Sequence, residues 1–219
     1  MAKIKSSIVN MVLVLTIITA LVGAILGSVY KLTEAPIAQA NAKAQEEAIR
    51  YVAPDFDNNP IAESDTITVE GQHIIIYPAI KDGKNVGAAV KASTNNGFNG
   101  EIVVIAGFEV DGTIRQYRVL SHSETPGLGA KMEQWFRTDK NNQSILGRNP
   151  ETCNLTVSKD GGDIDAITAS TITSRAFLQV ISTAYQAYMK RPLDALSSST
   201  KKSSQTTQPT QQEEANSHE

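Results

Sequence analysis

Glu101 to Ser121 reads EIVVIAGFEVDGTIRQYRVLS, two runs rich in β-branched residues joined across Asp111-Gly112. Asp-Gly between such runs is the strongest short-range hairpin signal, because a tight turn needs residues that tolerate positive φ. The stretch before it repeats the pattern: His73 to Ile80 (HIIIYPAI) and Val86 to Ser93 (VGAAVKAS) flank Lys81-Asp82-Gly83-Lys84. Consecutive hairpins predict an antiparallel sheet and argue against a βαβ series. Thr66 to Val69 alternates weakly upstream, and Leu155 to Ser158 reads as one more strand. Lys131 to Phe136 reads as a short helix. From Ile172 to Arg191 the period changes: Phe177, Val180, Ile181, Ala184, Tyr185 and Tyr188 recur at helical spacing, giving one apolar stripe to lay on the sheet. Pro192 stops that helix. The fold class is therefore α+β, an antiparallel sheet with flanking helices.

The first third of the chain obeys a different rule. Ser6 to Tyr30 carries no charge, and Ile8 to Val29 is dominated by Ile, Val, Leu and Ala. About twenty such residues at helical rise match the ~30 Å hydrocarbon core of a bilayer. Lys3 and Lys5 precede the run, which predicts a cytoplasmic N-terminus and an extracytoplasmic remainder. The competing reading is a cleaved signal peptide. Its best cleavage site, Ala38-Gln39-Ala40, lies well past the apolar run, so an uncleaved anchor is expected. Pro36 to Arg50 (PIAQANAKAQEEAIR) reads as a helix with Pro in its first turn that extends the membrane helix into a stalk after a bend; Ala53-Pro54 closes it. From Ser197 onward the chain is Ser, Thr, Gln, Lys and Glu without apolar period, the composition of a disordered tail.

Composition narrows the function. Of 219 residues the formal net charge is −3 at pH 7, and no basic stripe is present, so nucleic acid is not an expected partner. A single cysteine, Cys153, excludes an internal disulfide framework and a cysteine-based metal cluster; it is expected to be a small buried apolar residue. His73, His122 and His218 show no ligand spacing, and no metal site is expected.

Two stretches carry candidate chemistry. Asp165 to Ser174 (DAITASTITS) places hydroxyls just before an amphipathic helix. A helix N-terminus leaves backbone N–H groups unpaired in a positive potential, which favours a phosphate. The same residues also fit plain N-capping by Ser170 or Thr171, which needs no ligand. Ser121 to Lys131 (SHSETPGLGAK) has glycines that allow close approach to a ring or a phosphate, and a tight loop accounts for it equally well. It is not a dinucleotide fingerprint: the third glycine is missing, no βαβ unit surrounds it, and Pro126 interrupts the turn.

Taken together the stretches resemble the FMN-binding domain shared by the G subunit of the Rnf electron transport complex and the C subunit of the sodium-pumping NADH:quinone oxidoreductase. In that family a segment like Asp-x-x-Ser/Thr-Gly-Ala-Thr is recognised by a flavin transferase, and its last Thr is esterified to the FMN phosphate. Asp165 and Thr168 match the recognition positions, Thr171 falls on the flavinylated Thr, and Ala169 and Ser170 replace the usual Gly and Ala. Glu124-Thr125-Pro126-Gly127-Leu128-Gly129 resembles the second signature, a loop expected near the flavin. The anchored N-terminus, the Asp82-Gly83 hairpin with Gly87, and Gly97-Phe98-Asn99-Gly100 before a strand fit the G subunit, so that the resemblance covers roughly residues 1 to 190.

The resemblance implies covalent FMN on Thr171, with Ser170, Thr173, Glu124, Thr125, Gly127, Leu128 and Gly129 around it. It also implies electron relay between reduced ferredoxin and NAD, coupled to ion movement by other subunits of a membrane complex. Five regions are expected: 1–7 cytoplasmic, 8–30 transmembrane, 31–54 stalk, 55–196 extracytoplasmic FMN-binding domain and 197–219 disordered tail. The C subunit of the quinone reductase is the alternative within the family; a flavin-free anchored binding module is a remoter one.

Overall fold

In the computed structural model, which describes residues 8–69 and 72–190, five strands lie side by side in chain order. They are β1 (Asp65–Val69), β2 (Gln72–Lys81), β3 (Lys84–Gly97), β4 (Gly100–Glu109) and β5 (Ile114–His122). Every neighbouring pair is antiparallel. The α-helices among the described residues are α1 (Ile8–Val52), α2 (Met132–Trp135) and α3 (Thr171–Met189). The N-terminal stretch 1–7, Pro192, His218 and the tail 197–219 lie outside the described residues.

Turn chemistry sets the meander. Asp82 and Gly83 both have positive φ (50° and 71°) beneath the closing pair Lys81 and Lys84, the geometry of a two-residue primed turn that matches strand twist. At the β4–β5 turn Gly112 has φ 85°, and the Asp111 carboxylate accepts from Thr113 N–H at 2.9 Å and Thr113 Oγ1 at 3.0 Å. Those two bonds hold the Asp111 carboxyl below the usual carboxylate range. A third hairpin, which sequence reading leaves as a bare Gly-Phe-Asn-Gly before a strand, turns at Phe98-Asn99 between paired Gly97 and Gly100. Pro78 is tolerated inside β2 because β1 pairs only up to Ile76. Beyond that point Asn58 takes over, donating to Pro78 C=O at 3.0 Å and accepting from Ile80 N–H at 3.0 Å.

Alternation along the strands gives the sheet two apolar faces. One, with Ile74, Ile76, Val90, Ile102, Val104 and Phe108, is covered by Phe177, Leu178, Val180, Ile181, Ala184 and Tyr188 of α3. Rings lock this layer: Phe136 stacks on Phe177 at 4.6 Å, and Tyr117 meets Phe177 edge-on at 4.9 Å. The other face, with Tyr77, Ala79, Ala89 and Ile105, is covered by Ala48, Ile49, Val52 and Ala53 at the end of α1. Each such fully buried large side chain contributes about 1.5–3 kcal/mol.

Two expectations are corrected. The stalk does not begin as a helix of its own at Pro36: α1 is one helix of 45 residues, and Pro36 lies inside it instead of in a first turn. Proline removes one backbone bond, and the turns on either side supply the rest. Leu155 to Ser158 is not a strand. It makes a single parallel bridge, Val157 to Ile164, because Gly161 (φ 84°) and the Asn154–Asp163 contacts fold the segment into a tight loop. Cys153 is half-buried, with Arg148 Nη1 3.6 Å from its sulfur.

The division between compact units falls after Glu47. Upstream of it, α1 is the one helix among the described residues long and apolar enough to cross a membrane. Its hydroxyls are satisfied within the helix: Thr16 donates to Val12 C=O at 2.8 Å, Thr19 to Leu15 C=O at 3.0 Å and Ser28 to Ala24 C=O at 2.7 Å. An apolar solvent offers them no other partner.

Candidate functional site

A cavity of about 300 Å³ opens where three segments meet: the β3–β4 turn, the loop after β5 and the start of α3. Glu124, Thr125, Leu128 and Gly129 line it from the loop; Ala169 to Thr173 line it from the helix start; Phe98 leans in from the turn. Of the residues singled out in the sequence, seven thus meet around one space: Glu124, Thr125, Leu128, Gly129, Ser170, Thr171 and Thr173.

Three others sit behind the lining. Asp165 is a brace: its carboxylate accepts from Ser158 Oγ at 3.0 Å and Asn142 N–H at 3.3 Å, and Trp135 Nε1 donates to its carbonyl at 2.8 Å. Thr168 is exposed in the turn leading to the helix. Gly127 has φ 77° and serves the turn itself, in which Leu128 N–H reaches Thr125 C=O at 3.1 Å. Sequence reading missed Phe98, Ala169 and Ile172. The first was visible only as an aromatic inside a tight Gly-x-x-Gly turn; Ala169 was read only as a small residue at a motif position, and nothing in the local pattern marks Ile172.

The approach to α3 is held by Ser174, whose Oγ accepts from Ile167 N–H at 2.9 Å and donates to Ser170 C=O at 2.9 Å. That clamp drives Ala169 to φ 61°, a left-handed conformation natural for glycine. Ser170 occupies the N-cap position but makes no side-chain cap bond. Its hydroxyl donates to Thr173 Oγ1 at 2.9 Å, and Thr173 donates to Glu124 Oε2 at 2.7 Å. The first backbone bond of α3 is Ser174 N–H to Ser170 C=O at 3.1 Å, so the amides of Thr171, Ile172 and Thr173 lack an intrahelical acceptor. Among the described residues, the Thr171 hydroxyl has no hydrogen-bond partner either.

Glu124 anchors the loop side and is only 5% exposed. Its Oε1 accepts from Asn99 N–H at 3.2 Å, and its own N–H donates to His122 Nδ1 at 3.1 Å. His122 Nε2 in turn faces Glu133 Oε1 at 3.3 Å, an arrangement that places the ring proton on Nε2. Glycine is required beside the carboxylate. A Cβ on Gly129 would lie 2.5 Å from Glu124 Oε2, and one on Gly97 would lie 2.7 Å from Oε1.

Around the mouth, Phe98 (64% exposed), Ile172 (49%) and Leu128 (42%) offer large apolar side chains to solvent. Exposed apolar surface gathered at a cavity marks a ligand site. The donor set suits a ligand that joins a planar ring to an anion: amides and a hydroxyl at the helix end for the anion, three apolar side chains for the ring face. FMN has that form, and the residues present fit it. Among the described residues no group of His, Cys, Asp and Glu could hold a metal ion.

Comparison with known proteins agrees with this chemistry. A family model described as an FMN-binding domain matches residues 97–186, which contain all three segments of the cavity. The chain is similar to the G subunit of the ion-translocating oxidoreductase complex from Vibrio cholerae, 33% identical over 169 residues, covering 72% of this chain and 78% of that protein. It is 37% identical over 141 residues to the corresponding G subunit from Salmonella typhi, covering 60% and 66%. For the Aliivibrio fischeri protein, also a G subunit, the identity is 39% over 120 residues, and the match spans 53% of this chain and little more than half, 56%, of that protein.

Proposed function

The chain belongs to the family of G subunits of ion-translocating oxidoreductase complexes, and on that premise we propose that it is an electron-relay subunit holding FMN through a phosphoester on Thr171. One observation carries the reading: Thr171 presents an unpartnered hydroxyl at the uncapped start of α3, inside a cavity rimmed by exposed apolar side chains. The amides of the first turn would stabilise the phosphate charge, and Phe98, Leu128 and Ile172 would shield the ring from water. Bound there, the flavin supplies one- and two-electron chemistry, while the protein supplies position and surroundings. Thr171 is a tether and takes no part in turnover. Asp165 and Thr168, outside the lining, fit a role in recognition by a flavin transferase.

A phosphoester does not form from a free phosphate without activation, so the transferase must draw on a flavin pyrophosphate, such as a flavin dinucleotide. The Thr171 Oγ–P bond forms as the pyrophosphate bond breaks; the departing nucleoside monophosphate takes the bridging oxygen and the hydroxyl proton is released. The wider proposal places the domain on the extracytoplasmic side, anchored by α1, relaying electrons between ferredoxin and NAD within a complex that moves ions. Tethering replaces diffusion to the partner subunits with local encounter. The relatives named above are all G subunits, which favours this reading over the quinone-reductase C subunit.

The test is co-expression with the flavin transferase, denaturation in SDS and inspection of the gel for flavin fluorescence, with Thr171→Ala alongside. Fluorescence in the native band and none in the variant is the expected outcome. Equal fluorescence in both would move the attachment elsewhere. A dark native band, with the transferase active on another substrate, would leave a flavin-free binding module.

A further inference from the structure

Four hydroxyls stand between Thr168 and Thr173, and their intrinsic chemistry does not single one out. Ser170, a primary alcohol, is the least hindered of them. Its position is also the one at which serine normally caps a helix, accepting from the amides of the first turn. In this chain it does neither. Its hydroxyl points inward to Thr173 at 2.9 Å, which in turn bonds Glu124 at 2.7 Å. Thr173 is fully buried, and Glu124 is 95% buried some fifty residues earlier in the chain (5% exposed).

Resting on the function proposed above, we infer that Glu124 is the positioning residue that selects Thr171 as the acceptor. It acts in two ways. Through Thr173 it turns the Ser170 hydroxyl away from the surface and off the helix end, so the amides there stay open to a phosphate carried by Thr171. Its carboxylate also sets a negative charge beside Ser170 and Thr173, where a phosphate dianion or monoanion esterified to either would be repelled. Thr171, one residue along and without a partner, is left as the hydroxyl that is both reachable and followed by an open anion site. The glycines at 97 and 129 let the carboxylate sit so close to both walls.

The experiment maps the flavinyl phosphate by peptide mass spectrometry on the full chain co-expressed with its transferase. Native protein carries it on Thr171. In Glu124→Ala the relay is lost, and the ratio of Thr171 to Ser170 modification falls about tenfold, the scale of one lost hydrogen bond to a charged acceptor. Glu124→Gln keeps the packing and an acceptor for Thr173 but removes the charge, so the ratio falls less than in Glu124→Ala; migration to Ser170 is the readout that loss of packing alone would not produce. Adding Ser170→Ala to Glu124→Ala removes the migrated fraction. Should Glu124→Ala not accumulate, Thr173→Val cuts the same relay with nearly the same shape and decides the matter. Flavin solely on Thr171 in both Glu124→Ala and Thr173→Val overturns the inference and leaves the proposed function standing. So does loss of flavin from Thr171 without migration, because Glu124 would then hold the cofactor and not choose the acceptor. A native chain without flavin removes both.

Discussion

At the end of α1, Ala53 N–H bonds Ile49 C=O at 2.9 Å, the Arg115 guanidinium reaches Ala53 C=O, and Gly107 lets the Val52 carbonyl lie directly on the sheet. At the start of α3, no side chain caps the helix, one hydroxyl has no partner, and large apolar side chains face solvent. Both are helix ends in the same domain, packed on the same sheet. The first is finished with protein groups, as buried backbone must be. Among the described residues, the second leaves the Thr171 hydroxyl and the first amides without a protein partner and its apolar surface uncovered, open to an occupant. Where a fold declines to finish a helix that it has the residues to finish, a ligand is the economical explanation.

The largest expected effect tests that contrast with one substitution at both ends. Gly107→Ala drives a Cβ into the Val52 backbone, which has nowhere to move, and should lower the unfolding free energy by about 3 kcal/mol or more in urea denaturation. Gly129→Ala meets side-chain atoms instead of backbone, Glu124 Oε2 and Cβ and Thr173 Oγ1, so it should cost about 1–3 kcal/mol, less than Gly107→Ala, and reduce covalent flavin. Equal destabilisation by the two would break the contrast.

A titration in base asks which part of the domain gives way first. Burial pushes the Tyr117 hydroxyl up to about 12, and it donates to Met132 C=O at 2.7 Å in the interior. The folded chain therefore favours the neutral phenol. The associated stability is complete below pH ~10, declines as pH rises, and is lost by pH ~12, a total of about 2–3 kcal/mol. Tyr117→Phe should flatten the alkaline limb of a stability-against-pH curve; an unchanged limb would show that another group sets it.

The smallest effect is a gain. Ala169 sits at φ 61°, where an L side chain costs about 1 kcal/mol, so Ala169→Gly should raise stability by roughly 0.5–1 kcal/mol while flavin stays on Thr171. No gain would mean that the added freedom of glycine in the unfolded chain offsets the relief at φ 61°.

Much of the fold was legible because its turns have a stereochemical signature. Asp82-Gly83 and Asp111-Gly112 announce positive φ, and the α3 stripe from Phe177 to Tyr188 announces the face it covers. The Phe98-Asn99 turn carries no such dipeptide, so its hairpin was not read. Leu155 to Ser158 has strand-like residues, but the Asp163 carboxylate on the Asn154 N–H and the Asn154 side chain on Gly161 C=O and Thr156 Oγ1, remote from any periodicity, curl it into a loop. Pro36 reads as a helix start because propensity is local, whereas a helix already running can absorb one lost bond. At the site, the two motifs were visible as separate strings. That Phe98 joins them, or that Glu124 reaches Thr173, depends on a turn and a loop brought together by the sheet.

The strand order also has a consequence in time. Each strand pairs with its sequence neighbour, so the sheet can zip up from hairpins that close short loops. Among the described helices, α3 packs back on strands far earlier in the chain. The cavity needs the β3–β4 turn, the loop after β5 and that returning helix, so it cannot be complete before α3 docks. Docking of α3 thus decides when the candidate site becomes complete, and a chain halted before that step would carry the sheet without the cavity.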